Sequence, residues 1–368
     1  MKPVLIPVTI TAMKFLITPL IRDPLADSAL FITKTLCTTL HKAGHTVSVC
    51  ACGKAGYGAD EFFASPDSTR HFLRTSGHTA EEYLYGIGAM DRNFLKQDLL
   101  AIEDAIASFQ PDILFTIDRL SSVTAARKHD IPIAAFTDSS VLARPAFSRN
   151  VLKGINRFLY EERQEQILNL ADLYAYCDHV VLFGEESLEP DHNAKNVIRL
   201  ASPSLNVPKR PLRKSIPVWI GKSDHSLASF KKDFREAFEG SPAKFSVYMD
   251  GSTGSSASLT FRTEPDPSLI NGARMMIHDG NPFVFHECIT YGVPQIVIHD
   301  GSWPRYQISR HVENAGLGKS VPLEDVSVSF LYESYRLLLD DDSCRQTAVK
   351  YKNRAKNLPD LYSLLKLL

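Results

Sequence analysis

The chain has 368 residues, with 41 Lys and Arg against 42 Asp and Glu and a formal net charge of −1. Apolar residues make up 44% and charged residues 23%, a globular composition that excludes a disordered chain and is ample for large buried cores. The neutral balance excludes an extended basic surface for nucleic acid or an anionic membrane, though not a local phosphate site built from a few donors.

At about 150 residues per domain, the length suggests two or three domains. The apolar stretch from Val4 to Ile21 is interrupted by Pro7, Thr9, Thr11, Lys14, Thr18 and Pro19. A spanning helix needs about 20 mainly apolar residues, so no transmembrane segment is expected. Lys14 to Ile21 reads better as a first core strand than as the end of a signal peptide. Met13 offers an alternative start that would leave residues 1–12 as an extension. Cys37, Cys50, Cys52, Cys177, Cys288 and Cys344 form no disulfide framework, which suits a reduced, cytoplasmic protein.

In chain order, KFLITPLI is a strand and 27–43 a helix, with Leu30, Ile32, Leu36 and Leu40 near four-residue spacing and Gly44 as its stop. HTVSVCAC is the next strand. The irregular segment 53–100 contains Tyr57, Phe62, Phe63, Tyr83 and Tyr85, and a long helix covers 91–109. The strand ILFTI ends at Asp118, the helix 121–129 follows, and IPIAAF is a short strand. Strands alternating with helices imply a parallel, doubly wound sheet.

Residues 201–215 carry three prolines and four basic residues and break both periodicities, as a linker does. The alternation then restarts: strand IPVWIG, helix 227–239, strands KFSVYMDG and ARMMIHDG, helix 283–291, strand PQIVIHDG, helix 306–315 with Gly316 as its stop, and a helix-rich tail. The expected division is 1–204, a linker at 205–214, 215–345, and a C-terminal helical segment 346–368 that returns to the first domain. Two such α/β domains would face each other across a cleft and bind ligands at their strand C-terminal ends.

The stretch 273–318 is the most informative. A buried strand ends at His278-Asp279-Gly280, and Asn281 leads into a helix at Pro282, where free N–H groups and the positive helix end suit an anion. Glu287 falls on that helix, and Gly292-Val293-Pro294 turns into the next strand. Glu287-Cys288-Ile289, Gly292-Val293-Pro294 and Val312…Gly316-Leu317-Gly318 resemble the donor-sugar signature of the family 1, UDP-sugar glycosyltransferases of GT-B fold. The opening strand, helix and Gly44-His45 turn resemble the same family. So do Pro111-Asp112 with Asp118, and residues 177–205. The resemblance covers nearly the whole chain.

It implies two Rossmann-like domains. The N-terminal one would bind an acceptor and the C-terminal one a UDP- or dTDP-sugar as co-substrate, with no cofactor and no metal. Aligned from Glu287, the family's phosphate-binding His falls on Asp279, with His278 before it, and its second Gly becomes Asn281. A carboxylate repels a diphosphate. Either His278 rotates in, or backbone N–H groups at Gly280 and Asn281 bind phosphate with Lys222 beside Gly221, or the site is degraded. The family's acidic-Gln pair has no clear counterpart, the nearest residues being Asp300, Trp303, Arg305 and Gln307. Glu287 would hold ribose hydroxyls.

The loop after the first strand has no His, so Asp23 is the candidate base and Asp118 its partner. A pair of acids at strand ends can raise a carboxyl pKa enough for that role. The His278, Asp279, His286 and Glu287 spacing does not suit a compact metal site. Gly251-Ser-Thr-Gly254 lacks the Lys of a P-loop and reads as a loop.

The expected activity is inverting, metal-independent transfer of a sugar to a small-molecule hydroxyl, as in natural-product glycosylation, by a monomer or homodimer. The alternatives are a catalytically silent GT-B paralogue serving another transferase, and a sugar-nucleotide epimerase of the same fold.

Overall fold

The structure, a computed structural model, describes residues 12–21, 27–53, 56–67, 78–202, 215–221 and 226–366. Asp23, Lys222 and the expected linker at 205–214 lie outside them. The first half runs β1 (Lys14–Pro19), α1 (Ser28–Lys42), β2 (Thr46–Ala51), β3 (Glu61–Ala64), α2 (Ala80–Gly86), α3 (Arg92–Phe109), β4 (Ile113–Ile117), α4 (Ser121–Lys128), β5 (Ile133–Phe136), α5 (Lys153–Glu161), α6 (Leu170–Tyr174), β6 (His179–Phe183) and β7 (Val197–Leu200). The second runs β8 (Ser215–Ile220), α7 (Ala228–Phe238), β9 (Lys244–Met249), β10 (Leu259–Arg262), β11 (Met276–His278), α8 (Pro282–Tyr291), β12 (Gln295–His299), α9 (Trp303–Asn314), β13 (Gly318–Pro322), α10 (Val328–Asp340), α11 (Ser343–Ala355) and α12 (Leu361–Leu364).

The strands form two sheets, ordered β3-β2-β1-β4-β5-β6-β7 and β10-β9-β8-β11-β12-β13, and every pair is parallel. Strand order reverses between β1 and β4 and between β8 and β11, which opens a crevice at the C-terminal strand ends of each sheet. The strands read as continuous apolar runs because helices cover both faces. Phe15, Ile17 and Phe115 pack on one face of the first sheet, and Leu16 and Leu114 on the other.

Local chemistry sets the element ends. Asp27 caps α1 by accepting from Ala29 N (2.9 Å), and Asp91 caps α3 by accepting from Asn93 N (2.9 Å). α9 begins at Trp303, one turn before the reading at Tyr306, because Pro304 fits a helix's first turn, where no N–H is needed. The strand read over ARMMIHDG shrinks to Met276–His278, since Ala273 N bonds back to Ile270 O in a turn. β3 is a half-exposed edge strand paired only with β2, so it lacks an apolar run.

In the tail, α11 packs on α8, with Ala348 against the core of Phe285 and Ile289. The chain then reaches the first sheet. Ala201 N donates to Pro359 O (2.8 Å), and Leu361 and Leu364 of α12 are buried in the core beneath β1 and β2. The halves also meet through aromatic rings. Phe31 of α1 stacks on Phe283 of α8 (centroids 4.8 Å, 18°) and meets Trp219 of β8 edge-on (5.3 Å). Burying each ring contributes on the order of 2 kcal/mol.

Candidate active site

The strand ends of the two sheets enclose a cavity of about 460 Å³. Leu20 after β1, Asp118 after β4, Thr137 to Ser140 after β5 and Phe183 of β6 form one wall. Asn281 and His286 of the β11–α8 segment, and Asp300 to His311 of the β12–α9 segment, form the other.

Carboxylates dominate the first wall. Asp118 adopts a left-handed backbone (φ +55°), a conformation that Asp tolerates better than most residues because its short side chain bonds locally. This turns its carboxyl into the cavity, where Thr137 Oγ1 donates to Asp118 Oδ1 (2.7 Å). Burial, reinforced by the charge of Asp138, pushes Asp118 up to about 7. Asp138 Oδ1 accepts from Ser140 N (2.8 Å), and Glu189 Oε2 accepts from Ser139 N (2.8 Å). Burial and Asp138 likewise raise Glu189 to about 7.

The opposite wall rests on one clamp. Asp279 Oδ2 accepts from Gly221 N (2.9 Å) and pairs with Arg305 Nη2 (3.0 Å), while Oδ1 accepts from Asn281 N (3.1 Å). Arg305 Nη1 reaches Asp300 Oδ2 (2.6 Å), and Asp300 Oδ1 accepts from Ser302 N and Oγ (3.1 and 2.7 Å). Gly280 makes this approach possible. It has φ +84°, and a Cβ there would lie 2.8 Å from the Arg305 carbonyl oxygen. Trp303 Nε1 donates across the cleft to Ser140 Oγ (3.0 Å).

The structure therefore brings Asp118, Asn281, Trp303, Arg305 and Gln307 together on the cavity, and sets Gly221, His278, Asp279 and Gly280 beneath its wall. His278 does not rotate toward a ligand. It is fully buried, its Nδ1 accepts from Gly280 N (3.2 Å) and its Nε2 bonds Gln295 Oε1 (2.9 Å). Burial drives it down to about 4, so the ring is neutral. The expectation of free N–H donors at the start of α8 is also corrected. Pro282 has none, Asn281 Oδ1 takes those of Phe283 and Val284 (2.9 and 3.3 Å), and Asp279 takes that of Asn281. The residue expected to repel phosphate occupies one of these donors instead, and Asn281 the other two.

Glu287 lies outside the cavity lining, fully buried. Both of its carboxylate oxygens lack a hydrogen-bond partner among the described residues, and burial raises it to about 8. No group of three or more potential metal ligands occurs among the described residues.

Sequence reasoning missed Asp138 and Glu189, and gave no cavity role to His286 or to His311. Asp138 follows a strand end as Asp118 does, which was a usable signal. Glu189 sits in a loop and carries no such mark. His286 is nine-tenths buried and His311 half-buried, and both rings lie near Phe285 (centroids 5.1 and 6.1 Å).

Two parallel doubly wound domains with a cavity between their strand C-terminal ends define the GT-B architecture. Solved structures of that architecture match nearly the whole chain. The glycosyltransferase SnogD from Streptomyces nogalater covers 97% of this chain and 100% of its own at 17% identity and a TM-score of 0.71. The spinosyn rhamnosyltransferase SpnG, complexed with thymidine diphosphate, covers 96% and 99% at 14% identity and a TM-score of 0.70. At such identities the likeness is one of fold. An 89-residue stretch is 27% identical to the 3-alpha-mycarosylerythronolide B desosaminyl transferase of Saccharopolyspora erythraea, over 24% of this chain and 21% of that protein. The match thus spans about a fifth of that relative. No protein-family model matches the chain. No helix among the described residues is long and apolar enough to cross a membrane.

Proposed function

We propose that this protein is a glycosyltransferase that moves a sugar from a nucleotide diphosphate, dTDP- or UDP-linked, to a hydroxyl of a small-molecule acceptor, with inversion and without metal. The observation that carries this reading is Asp118, a carboxyl raised to about 7 at the strand-end cavity of a GT-B fold. In the proposed step, Asp118 takes the proton of the acceptor hydroxyl as its oxygen bonds to the anomeric carbon. The diphosphate leaves from the opposite face with the electrons of the breaking bond. Asn281, Arg305 and Gln307 would position the donor, and Trp303 would pack beside the sugar. Positioning and stabilisation of the departing charge would supply most of the acceleration. The thymidine diphosphate bound to a structural neighbour favours a dTDP donor.

The test has two stages. Thermal shift against dTDP, UDP and GDP should give a rise with one of them. Single-turnover assays with the matching sugar donor should then show a rate that climbs with pH through about 7. Asp118→Asn should lower it roughly 100-fold or more with little change in donor affinity. An unchanged rate in Asp118→Asn would remove the base.

A second reading, a catalytically silent paralogue that serves another transferase, is favoured by one observation: Asp279 and Asn281 occupy the N–H groups at the start of α8. It requires no shift with any nucleotide and no hydrolysis of any nucleotide sugar.

A further inference from the structure

Three carboxylates from three segments converge on the turn after β5, and sugar transfer engages only one of them. Asp118 is held by Thr137 Oγ1, Asp138 by Ser140 N and Glu189 by Ser139 N. Among the described residues lining the cavity, Asp27 and Asp300 add two more acids, and Arg305 is the single Lys or Arg. That guanidinium is already paired with Asp279 and Asp300 (3.0 and 2.6 Å). Arg199 acts on Glu189 from outside the lining. The first wall of the cavity, which carries no described Lys or Arg, is therefore a region of negative potential with a low-dielectric surround, which concentrates cations.

An independent observation points to a ligand in the same place. The His286 ring lines the cavity, is nine-tenths buried and makes no hydrogen bond to any described residue. Its neighbours are the rings of Phe183 and Phe285, at 6.1 and 5.1 Å. Burial lowers its pKa to about 3, so it stays neutral and offers one N–H and one lone pair. A neutral ring that faces a cavity with an N–H and a lone pair can bond a ligand hydroxyl or amine there.

We propose that the acceptor is cationic: a hydrophobic small molecule whose protonated amine sits between Asp138 and Glu189, with His286 bonding a second polar group. The ammonium N–H groups donate to the two carboxylates. The apolar body lies against Tyr83, Phe136 and Phe183, which line the same cavity. Asp118 remains available for the reacting hydroxyl. This inference rests on the transferase reading only for the word acceptor, because amine binding needs no donor.

The experiment is calorimetric titration of the full chain at pH 7 with tryptamine, with tryptophol, its uncharged analogue of the same size, and with indole-3-propionate. Tryptamine should bind at least about tenfold more tightly than tryptophol, and indole-3-propionate should bind weakest. Asp138→Asn and Glu189→Gln each keep an acceptor oxygen for the backbone N–H they hold. Each should lower tryptamine affinity about tenfold and leave tryptophol unchanged, with melting temperature confirming the fold. Equal affinity for amine and alcohol, or no loss in either variant, overturns the proposal. So does no heat from tryptamine up to about 10 mM. Lost amine binding with an intact nucleotide shift sinks this inference alone. Amine binding without any nucleotide response sinks the transferase reading alone.

Discussion

Glu287→Gln tests whether the buried acid of α8 sets the pH dependence of folding. Glu287 is shut off from solvent: its carboxyl is buried one turn beyond Phe283, and neither oxygen is hydrogen-bonded to a described residue. Burial raises it from 4.5 to about 8. Its folded-state pKa thus lies above the unfolded value. Between about pH 4.5 and 8 the unfolded chain has lost this proton while the folded chain keeps it. The unfolded state binds fewer protons, so stability falls as pH rises through that window. At about 1.36 kcal/mol per pH unit, the full effect is on the order of 4–5 kcal/mol. The amide is nearly isosteric with the protonated acid and cannot ionise. Near pH 5 the parent and Glu287→Gln should therefore unfold at similar denaturant concentrations. Near pH 8.5 the variant should be the more stable by roughly 4 kcal/mol. Guanidinium unfolding followed by the fluorescence of Trp219, which packs in the same aromatic cluster as Phe283, reads the difference. Asp118 and Glu189 contribute slopes of the same sign, but they cancel between parent and variant. An equal difference in midpoint at both pH values would refute the reasoning.

The clamp and the cores give further outcomes. Gly280→Ala would place a Cβ 2.8 Å from the Arg305 carbonyl oxygen at φ +84°, and should cost about 2–4 kcal/mol, seen as a melting temperature several degrees lower. Asp279→Asn should cost about 2–4 kcal/mol in denaturant titration, because Oδ2 serves both Gly221 N and Arg305 Nη2 and an amide nitrogen can accept from neither. In the first domain, buried Arg119 donates through Nε to Asp98 Oδ2 (2.9 Å) and through Nη1 to the Cys50 carbonyl, while Ser121 Oγ also donates to Asp98. Arg119→Met strands that carboxylate and should cost about 3–5 kcal/mol, and the double change Arg119→Met with Asp98→Leu should recover most of the loss. A single variant that melts like the parent would show that the pair contributes little.

Much of the architecture was readable one segment at a time. Apolar runs such as KFLITPLI, followed by a capped helix and the closing glycine Gly44, announced parallel strands and their crossovers. Periodicity and capping are properties of neighbouring residues, so they survive in the linear chain. Elements that lack a run of their own escaped. β3 is an exposed edge strand, β10 alternates apolar and polar residues, and α2 and α6 are short and held by capping side chains and by the first core.

The site divides along the same line. The sequence alone marked Asp118 at a strand end and placed Asn281, Trp303, Arg305 and Gln307 in the two strand-to-helix segments that do reach the cavity. Only the tertiary structure decided what each residue does there. Asp279 ties down Gly221, Asn281 and Arg305. His278 is spent on Gly280 and Gln295, and Glu287 is buried with no hydrogen-bond partner among the described residues. Asp138 and Glu189 join Asp118 across 71 residues of chain. A pattern along the chain specifies which groups a segment carries. Whether a carboxylate faces a ligand, a guanidinium or nothing depends on which distant segments close around it, and burial, which shifts Asp118, Glu189, His278, Asp279 and Glu287, exists only once they have.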